Sequence, residues 1–259
     1  MKNTESSIVY FSGTGNSFHI ASTLSTLLGE VPLYSIPKIL KDPTLFSVPS
    51  TLGIVLPVHM EIAPSFVKKF ITEIIAKEKD KITYLFIISN TMSPFPTYVH
   101  KDIEAALLSS GIKASYYAHI AMPSNLKSHT DQTMRKKFLA SDATCKKIAK
   151  DIEQRRVKRP QPRPFSRFFI HTLTKTAQTF TEQFAKNYSV QETCIGCGLC
   201  AHVCPSHAIQ MVNNRPVFGH QCIACRACIN ACPKNAISYK GKKIKQYRRE
   251  GKAFQQKIE

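Results

Sequence analysis

Eight of the nine cysteines in this 259-residue chain fall into two runs of identical spacing. Residues 194–205 read CIGCGLCAHVCP and residues 222–233 read CIACRACINACP, both C-x2-C-x2-C-x3-C-P, with the second run 28 residues after the first. Ala208-Ile209 and Ala236-Ile237 repeat at the same offset. Thiolate is a soft ligand that suits iron–sulfur centres, and a cubane cluster takes four of them. The short spacings let one loop present three sulfurs to one cluster. The fourth cysteine stands one residue further out, and in a run of this type it completes the other cluster. The expected ligands of one [4Fe-4S] cluster are therefore Cys194, Cys197, Cys200 and Cys232. Those of the second are Cys222, Cys225, Cys228 and Cys204. Pro205 and Pro233 turn the chain out of each run. Gly196 and Gly198 are expected to bring the backbone close to a sulfur.

Two other uses of cysteine fit less well. Zinc usually takes two CxxC pairs per site, not a fourfold run repeated. Disulfides need an oxidising compartment. The opening MKNTESSIVYF lacks the basic and apolar regions of a secretory signal, so a cytoplasmic protein is expected. Residues 187–240 closely resemble the bacterial two-cluster ferredoxins. That resemblance implies a small pseudo-symmetric α+β fold that moves one electron at a time. Exposed cubane clusters point to an anaerobic cell.

A second constellation lies near the start. Ser7–Phe11, SIVYF, reads as a short buried strand and runs into Ser12-Gly13-Thr14-Gly15-Asn16-Ser17. A helix follows, with Phe18, Ala21, Leu24 and Leu28 at helical spacing. Strand, glycine-and-hydroxyl loop, helix is the geometry of a phosphate site: backbone N–H groups, side-chain donors and the positive end of a helix converge. The loop has neither the lysine of a P-loop nor the third glycine of a dinucleotide fingerprint. A plain helix start with flanking glycines is the alternative. The residues S-G-T-G-N-S resemble the FMN phosphate loop of flavodoxins.

The elements that must position this loop alternate over about 150 residues. Strands are expected at 51–56, 82–89 and 115–121, with a weak one near 33–34. Helices are expected from Pro64, over 96–110 with Gly111 as its stop, and over 131–154. The flavodoxin resemblance implies a doubly wound parallel sheet of order 2-1-3-4-5. Its ligand would lie beyond the carboxyl ends of the strands, where loops 57–61, 89–98 and 122–129 join the phosphate loop. Pro57, Val58, His59, Met60, Asn90, Thr91, Met92 and Tyr98 are the candidates to frame the flavin ring. Asn90 and Thr91 suit polar contacts, Tyr98 or His59 a ring face, and Met60 and Met92 an apolar wall. His59 as an exposed loop histidine and Tyr98 as a core residue are equally compatible with the pattern. The loop NTMSPFPTY and the absence of tryptophan both depart from the short flavodoxins. The ninth cysteine, Cys145, shares a helical stripe with Met134, Phe138, Ile148 and Ile152 and reads as a small core residue.

The formal charge is +19, and it is concentrated. Residues 155–186 hold eight Lys/Arg against one acid, and residues 240–259 eight against two. Residues 155–167 are basic and proline-broken, and Phe165, Phe169, Leu173, Thr176, Phe180 and Phe184 predict an amphipathic helix through about 188. The tail is too polar for a core and is expected to fray. The expected domains are 1–154 (FMN-binding), 155–189 (linker and helix), 190–240 (clusters) and 241–259 (tail). Clustered Lys/Arg without an aromatic platform or a recognition fold argues against nucleic acid, and no run is long enough to span a membrane. An acidic redox protein is a better electrostatic partner.

Sheet and cysteine repeat together resemble the flavodoxin–ferredoxin fusion proteins of anaerobic bacteria and archaea. The resemblance implies electron relay between two [4Fe-4S] clusters, FMN and external redox proteins. A ferredoxin-dependent flavin reductase acting on a small-molecule acceptor and a redox-sensing regulator are the rival functions.

Overall fold

The computed structural model describes residues 5–59, 61–95, 98–125, 129–160, 184–249 and 252–253. Met60 and most of the expected helix 165–188 lie outside them. The chain divides into two compact units, each taken here by itself. Among the described residues, no helix is long and apolar enough to cross a membrane.

The first unit alternates strand and helix: β1 (Ser6–Tyr10), α1 (Asn16–Leu27), β2 (Leu33–Ser35), α2 (Ile36–Lys41), β3 (Thr51–Pro57), α3 (Ser65–Glu73), β4 (Tyr84–Thr91), α4 (Val99–Ser109), β5 (Tyr116–Ala121) and α5 (Asp131–Glu153). The five strands form one sheet of order β2-β1-β3-β4-β5, and every pairing is parallel. This is the flavodoxin-type doubly wound order. The middle strands explain it: Leu52–Leu56 and Tyr84–Asn90 are buried without a break, as strands covered on both faces must be. α1 meets α5 through His19, whose Nε2 lies 2.6 Å from Asp142 Oδ1 and whose ring packs edge-on against Phe138. α3 packs on α2 and α4. Right-handed crossovers require that division of helices between the two faces. Cys145 is fully buried, and burial pushes its thiol up to about 12, so it behaves as a core residue.

One contact in this sheet has a measurable consequence. Gly53 on β3 pairs with Phe86 on β4, and a Cβ at residue 53 would stand inside van der Waals contact with the Phe86 ring. Phe86 is 1% exposed and has nowhere to go. Gly53→Ala is expected to lower the unfolding free energy by about 2 kcal/mol, read as a reduced urea midpoint.

The second unit repeats itself. Its elements are β6 (Tyr188–Val190), α6 (Leu199–His202), β7 (Ile209–Val212), β8 (Arg215–Phe218), α7 (Ala227–Ala231), β9 (Ile237–Tyr239) and β10 (Lys242–Lys243). At the 28-residue offset α6 falls on α7, β7 on β9 and β8 on β10. β7 and β8 form a hairpin; β6, β9 and β10 form an antiparallel sheet of order β10-β9-β6. Ile209, Ile229 and Ile237 fill the core between them.

Two expectations change here. Tyr188 is not the end of a helix. It begins β6, pairs with Tyr239 and packs its ring on Phe218 and Tyr239, so the small unit starts before residue 190. The tail does not fray immediately after 240. Lys242–Lys243 pair with β9, Ile244 packs on the core, and Gln246 and Tyr247 are buried. Gln246 Nε2 donates to the Ile229 and Cys232 carbonyls, and Asn230 Oδ1 accepts from Tyr247 N–H. These bonds cap backbone groups around α7, which a polar segment can do without supplying a core.

Candidate functional site

The cysteine loops owe their shape to backbone handedness. Gly196 and Gly198 have φ of +67° and +71°, and the matching residues of the second run, Ala224 and Arg226, have +54° and +61°. The repeat therefore demands the left-handed region twice per run, and only the first run meets it with glycine. A Cβ on Gly198 would meet nothing within 4 Å, and one on Gly196 would come within 2.7 Å of the Asn214 carbonyl oxygen, in the β7–β8 turn. Ala224→Gly is expected to stabilise the chain by about 1 kcal/mol. Gly196→Ala should cost more than that, because strain and the clash act together. Denaturant midpoints of the two variants against the parent check both.

Beyond the loops, the two runs exchange cysteines. One cavity is lined by Cys194, Cys197, Cys200 and Cys232. A second is lined by Cys204, Cys222, Cys225 and Cys228. Electrostatics shows the same neighbours: Cys232 is felt by Cys200, and Cys204 by Cys222, Cys225 and Cys228. The walls are otherwise mostly apolar, with Val190, Met211 and Ile237 in the first beside Lys234, and Tyr188, Ile209 and Phe218 in the second beside Ser206 and Arg226. Backbone amides point at sulfur in a repeated pattern. Ala208 N–H donates to Cys204 Sγ and Ala236 N–H to Cys232 Sγ, each at 3.3 Å, and Ala224 N–H to Cys222 Sγ at 3.4 Å.

Burial pushes the Cys200 and Cys222 thiols up, Cys225 to about 12 and Cys228 well above the usual range. Bare thiols there stay protonated, and a bound metal is what removes such protons. Among the described residues no three Cys, His, Asp or Glu converge closely enough for a single ion. Four sulfurs around each mostly apolar cavity are a donor set that suits an iron–sulfur centre.

Residues 193–237 match the 4Fe-4S dicluster domain family. This stretch is thus a ferredoxin-type, 4Fe-4S-binding domain, and electron transfer is the chemistry of such domains. No curated protein matches the chain. Among solved structures, the Trp repressor binding protein from Bacillus subtilis aligns with 55% of this chain and 96% of its own, at 9% identity and a TM-score of 0.38. At that score nothing is added to the strand order seen directly.

The loop Ser12–Ser17 leads from β1 to the N-terminus of α1. Ser12, Thr14, Asn16 and Ser17 are buried, and Gly15 takes φ +98°, which glycine adopts freely. Thr14 Oγ1 accepts from Asn125 Nδ2 at 3.3 Å and Ser17 Oγ from Asn90 Nδ2 at 2.8 Å. Each hydroxyl thus keeps its own proton for donation. α1 has no acid in its first turn, whereas α4 and α5 have Asp102 and Asp131. The donor set suits a phosphate held without a cationic side chain.

The ring candidates are spread among different tasks. Asn90 spends both side-chain amide hydrogens inside the fold, on Ser17 Oγ and, at 3.0 Å, on the Leu56 carbonyl, and its main-chain carbonyl accepts from Val58 N–H. It fastens β3, β4 and α1 together at the sheet's carboxyl edge. Pro57 closes β3 opposite Asn90. Thr91 Oγ1 accepts from Ser93 N–H at 2.9 Å and shapes the loop after β4, on which Met92 and Phe95 are more than half exposed. Tyr98 heads α4 and donates its N–H to Glu61. His59 closes a turn with Ile62, and its ring stands edge-on to Phe11. Its Nδ1 is shielded and has no partner among the described residues. Burial holds the ring down to about 4, which favours the neutral imidazole at pH 7.

The sequence did not announce a largely buried trio on the same sheet. Ser89 Oγ lies 2.8 Å from both His100 Nε2 and His119 Nδ1. Three elements contribute one residue each, and only the parallel register, which sets Ser89 opposite His119, brings them together.

Proposed function

We propose that this chain is an electron-transfer protein that relays electrons between two [4Fe-4S] clusters and a bound FMN, and on to redox partner proteins. The observation that carries the reading is the pair of four-cysteine cavities, each taking its fourth sulfur from the other run. Cys194, Cys197, Cys200 and Cys232 would hold one cluster, and Cys222, Cys225, Cys228 and Cys204 the other. Each cluster supplies one-electron chemistry, and a flavin exchanges either one electron or two.

Mostly apolar walls and N–H···S bonds are the chain's means of setting the cluster potentials. Ser12–Ser17 would hold the FMN phosphate through backbone N–H groups and the Thr14 and Ser17 hydroxyls. Asn90 would keep that loop fixed to the strand ends. His59 Nδ1, shielded and unpartnered, is the atom most in need of a ligand partner there. The basic residues of 155–186 and 240–259 favour an acidic protein as the external partner.

Anaerobic purification followed by iron, sulfide and flavin analysis tests the reading. The expected result is about eight irons, about eight sulfides and one FMN per chain. Eight irons without flavin would leave a two-cluster electron carrier and remove the FMN half of the proposal.

A further inference from the structure

Two short stretches from the front of the chain, Gly13–Gly15 and Asn125–Asp131, belong to the compact unit that carries the cysteine runs. Within that unit they meet the second run. A Cβ on Gly13 would overlap the Cys225 carbonyl oxygen and stand 3.0 Å from Cys225 Cβ, so the missing side chain is what lets the two backbones touch. Arg226 Nη1 donates to the Asn125 carbonyl oxygen at 2.8 Å, and Asn125 Nδ2 donates to Thr14 Oγ1. Asn125 thus links the guanidinium to a hydroxyl of the proposed phosphate loop.

The first run differs at the same positions. Gly198 stands where Arg226 does, and a Cβ there would meet nothing within 4 Å. Cys197 is exposed, whereas the matching Cys225 is buried. The first cavity has Lys234 in its wall, but that lysine is exposed and water screens it. Arg226 is partly buried and lines the second cavity beside Cys204, Cys222, Cys225 and Cys228. Its guanidinium has five N–H donors and, among the described residues, gives one hydrogen bond, to Asn125, and forms no ion pair with a carboxylate.

A cation in that position answers two anions. An oxidised cubane with four thiolates carries a charge of about −2 and gains one more on reduction. A phosphate monoester carries about −2 at pH 7. Both are drawn to Arg226, and they repel each other. We infer that Arg226 is the shared counter-cation of the cluster held by Cys222, Cys225, Cys228 and Cys204 and of a phosphate group seated at Gly13–Gly15, so that an electron on that cluster and a phosphate on that loop oppose one another. The inference rests on the reading that the cysteines hold two clusters and the loop a phosphate. One electron enters the cluster from the external redox partner, and no bond forms or breaks. The cluster beside Gly198 takes no part. A filled loop therefore sets apart the potentials of two clusters with like ligands and makes the second the stronger reductant. By linkage, reducing that cluster loosens the phosphate by the same factor.

Anaerobic titration of the full chain with dithionite, followed by low-temperature electron paramagnetic resonance, reads the two clusters, and Cys194→Ala and Cys222→Ala chains, each keeping one cluster, assign the signals. At constant ionic strength, saturating inorganic phosphate should lower the midpoint of the second cluster by about 59 mV, the one-electron equivalent of tenfold tighter binding to the oxidised form. The first cluster should stay where it is. Arg226→Gln should lower the second midpoint without any ligand and weaken phosphate and FMN about tenfold by calorimetry. Arg226→Lys keeps the charge and should restore most of both. A second cluster whose midpoint is the same with and without bound phosphate overturns the inference, as do two clusters that shift together. An Arg226→Gln chain that matches the parent in midpoint and phosphate affinity overturns it too. If Arg226→Gln sheds iron, the parent and Arg226→Lys decide. A chain that binds phosphate with the shift but takes up no FMN ends the flavin reading and keeps the inference. A chain that binds FMN with no shift does the reverse, and one that binds neither ends both.

Discussion

Replacing Cys204 by alanine should remove the cluster built by the second cysteine run and spare the one built by its own. Cys204 follows Cys200 closely in the chain, yet it lines the cavity of Cys222, Cys225 and Cys228. Iron should fall from about eight to about four atoms per chain. Pairs of substitutions make the result decisive. Cys204→Ala with Cys222→Ala should lose no more iron than Cys222→Ala alone, because both act on one cluster. Cys204→Ala with Cys194→Ala should lose nearly all of it. Cys232→Ala should behave in the mirror sense, grouping with Cys194. If Cys204→Ala groups with Cys194 instead, the exchange of sulfurs between runs is wrong.

Acid should destabilise the sheet unit well before its carboxylates titrate. His100 is 4% exposed, and burial holds it down to about 4, against an ordinary 6.5. Below the ordinary value the unfolded chain binds a proton that the folded chain refuses. The stability contributed by the neutral ring is thus complete above about pH 6.5 and is lost as pH falls toward 4. The loss from this one residue is about 3 kcal/mol. His59 acts in the same direction. Urea unfolding followed by near-ultraviolet circular dichroism, at pH 7 and pH 4, should show the fall. His100→Gln should be less stable at pH 7 and should flatten the dependence. A parent and variant with the same slope would mean that His100 is not held neutral.

Much of the fold was legible because each half writes its structure in a local pattern. β3 and β4 are apolar at nearly every residue, and only a parallel sheet covered on both faces asks for that. The cysteine runs carry their own spacing, and the single extra residue before Cys204 and Cys232 sets those two apart, each lining the cavity of the other run. What was not legible depends on register and distance. Nothing near Ser89 in the sequence points to His119. Asn90 was visible as a strand-end amide, but only the fold shows that its hydrogens are spent on Ser17 and Leu56. Tyr188 continued a helical spacing, and pairing with Tyr239 overrode it. Gln246 and Tyr247 looked like solvent-facing tail because hydrogen bonds to exposed backbone ends leave no periodic trace. Asn213 and Asn214, with φ of +48° and +58°, did leave a signal: two asparagines are well suited to a tight hairpin.

The sulfur exchange also bears on how the small unit comes to be folded. Under the proposed ligation each cluster ties a run to a cysteine on the far side of the repeat. The two clusters then act as two cross-links, each closing a loop of chain that would otherwise have to find its partner by diffusion. The core of Ile209, Ile229 and Ile237 is small, and the clusters would add to the strand pairing and ring packing that hold its halves in register. Folding and cluster insertion should therefore be one event. A chain stripped of iron should lose the β6–β9 pairing along with its colour, and a chain given one cluster should keep one seam closed and leave the other open.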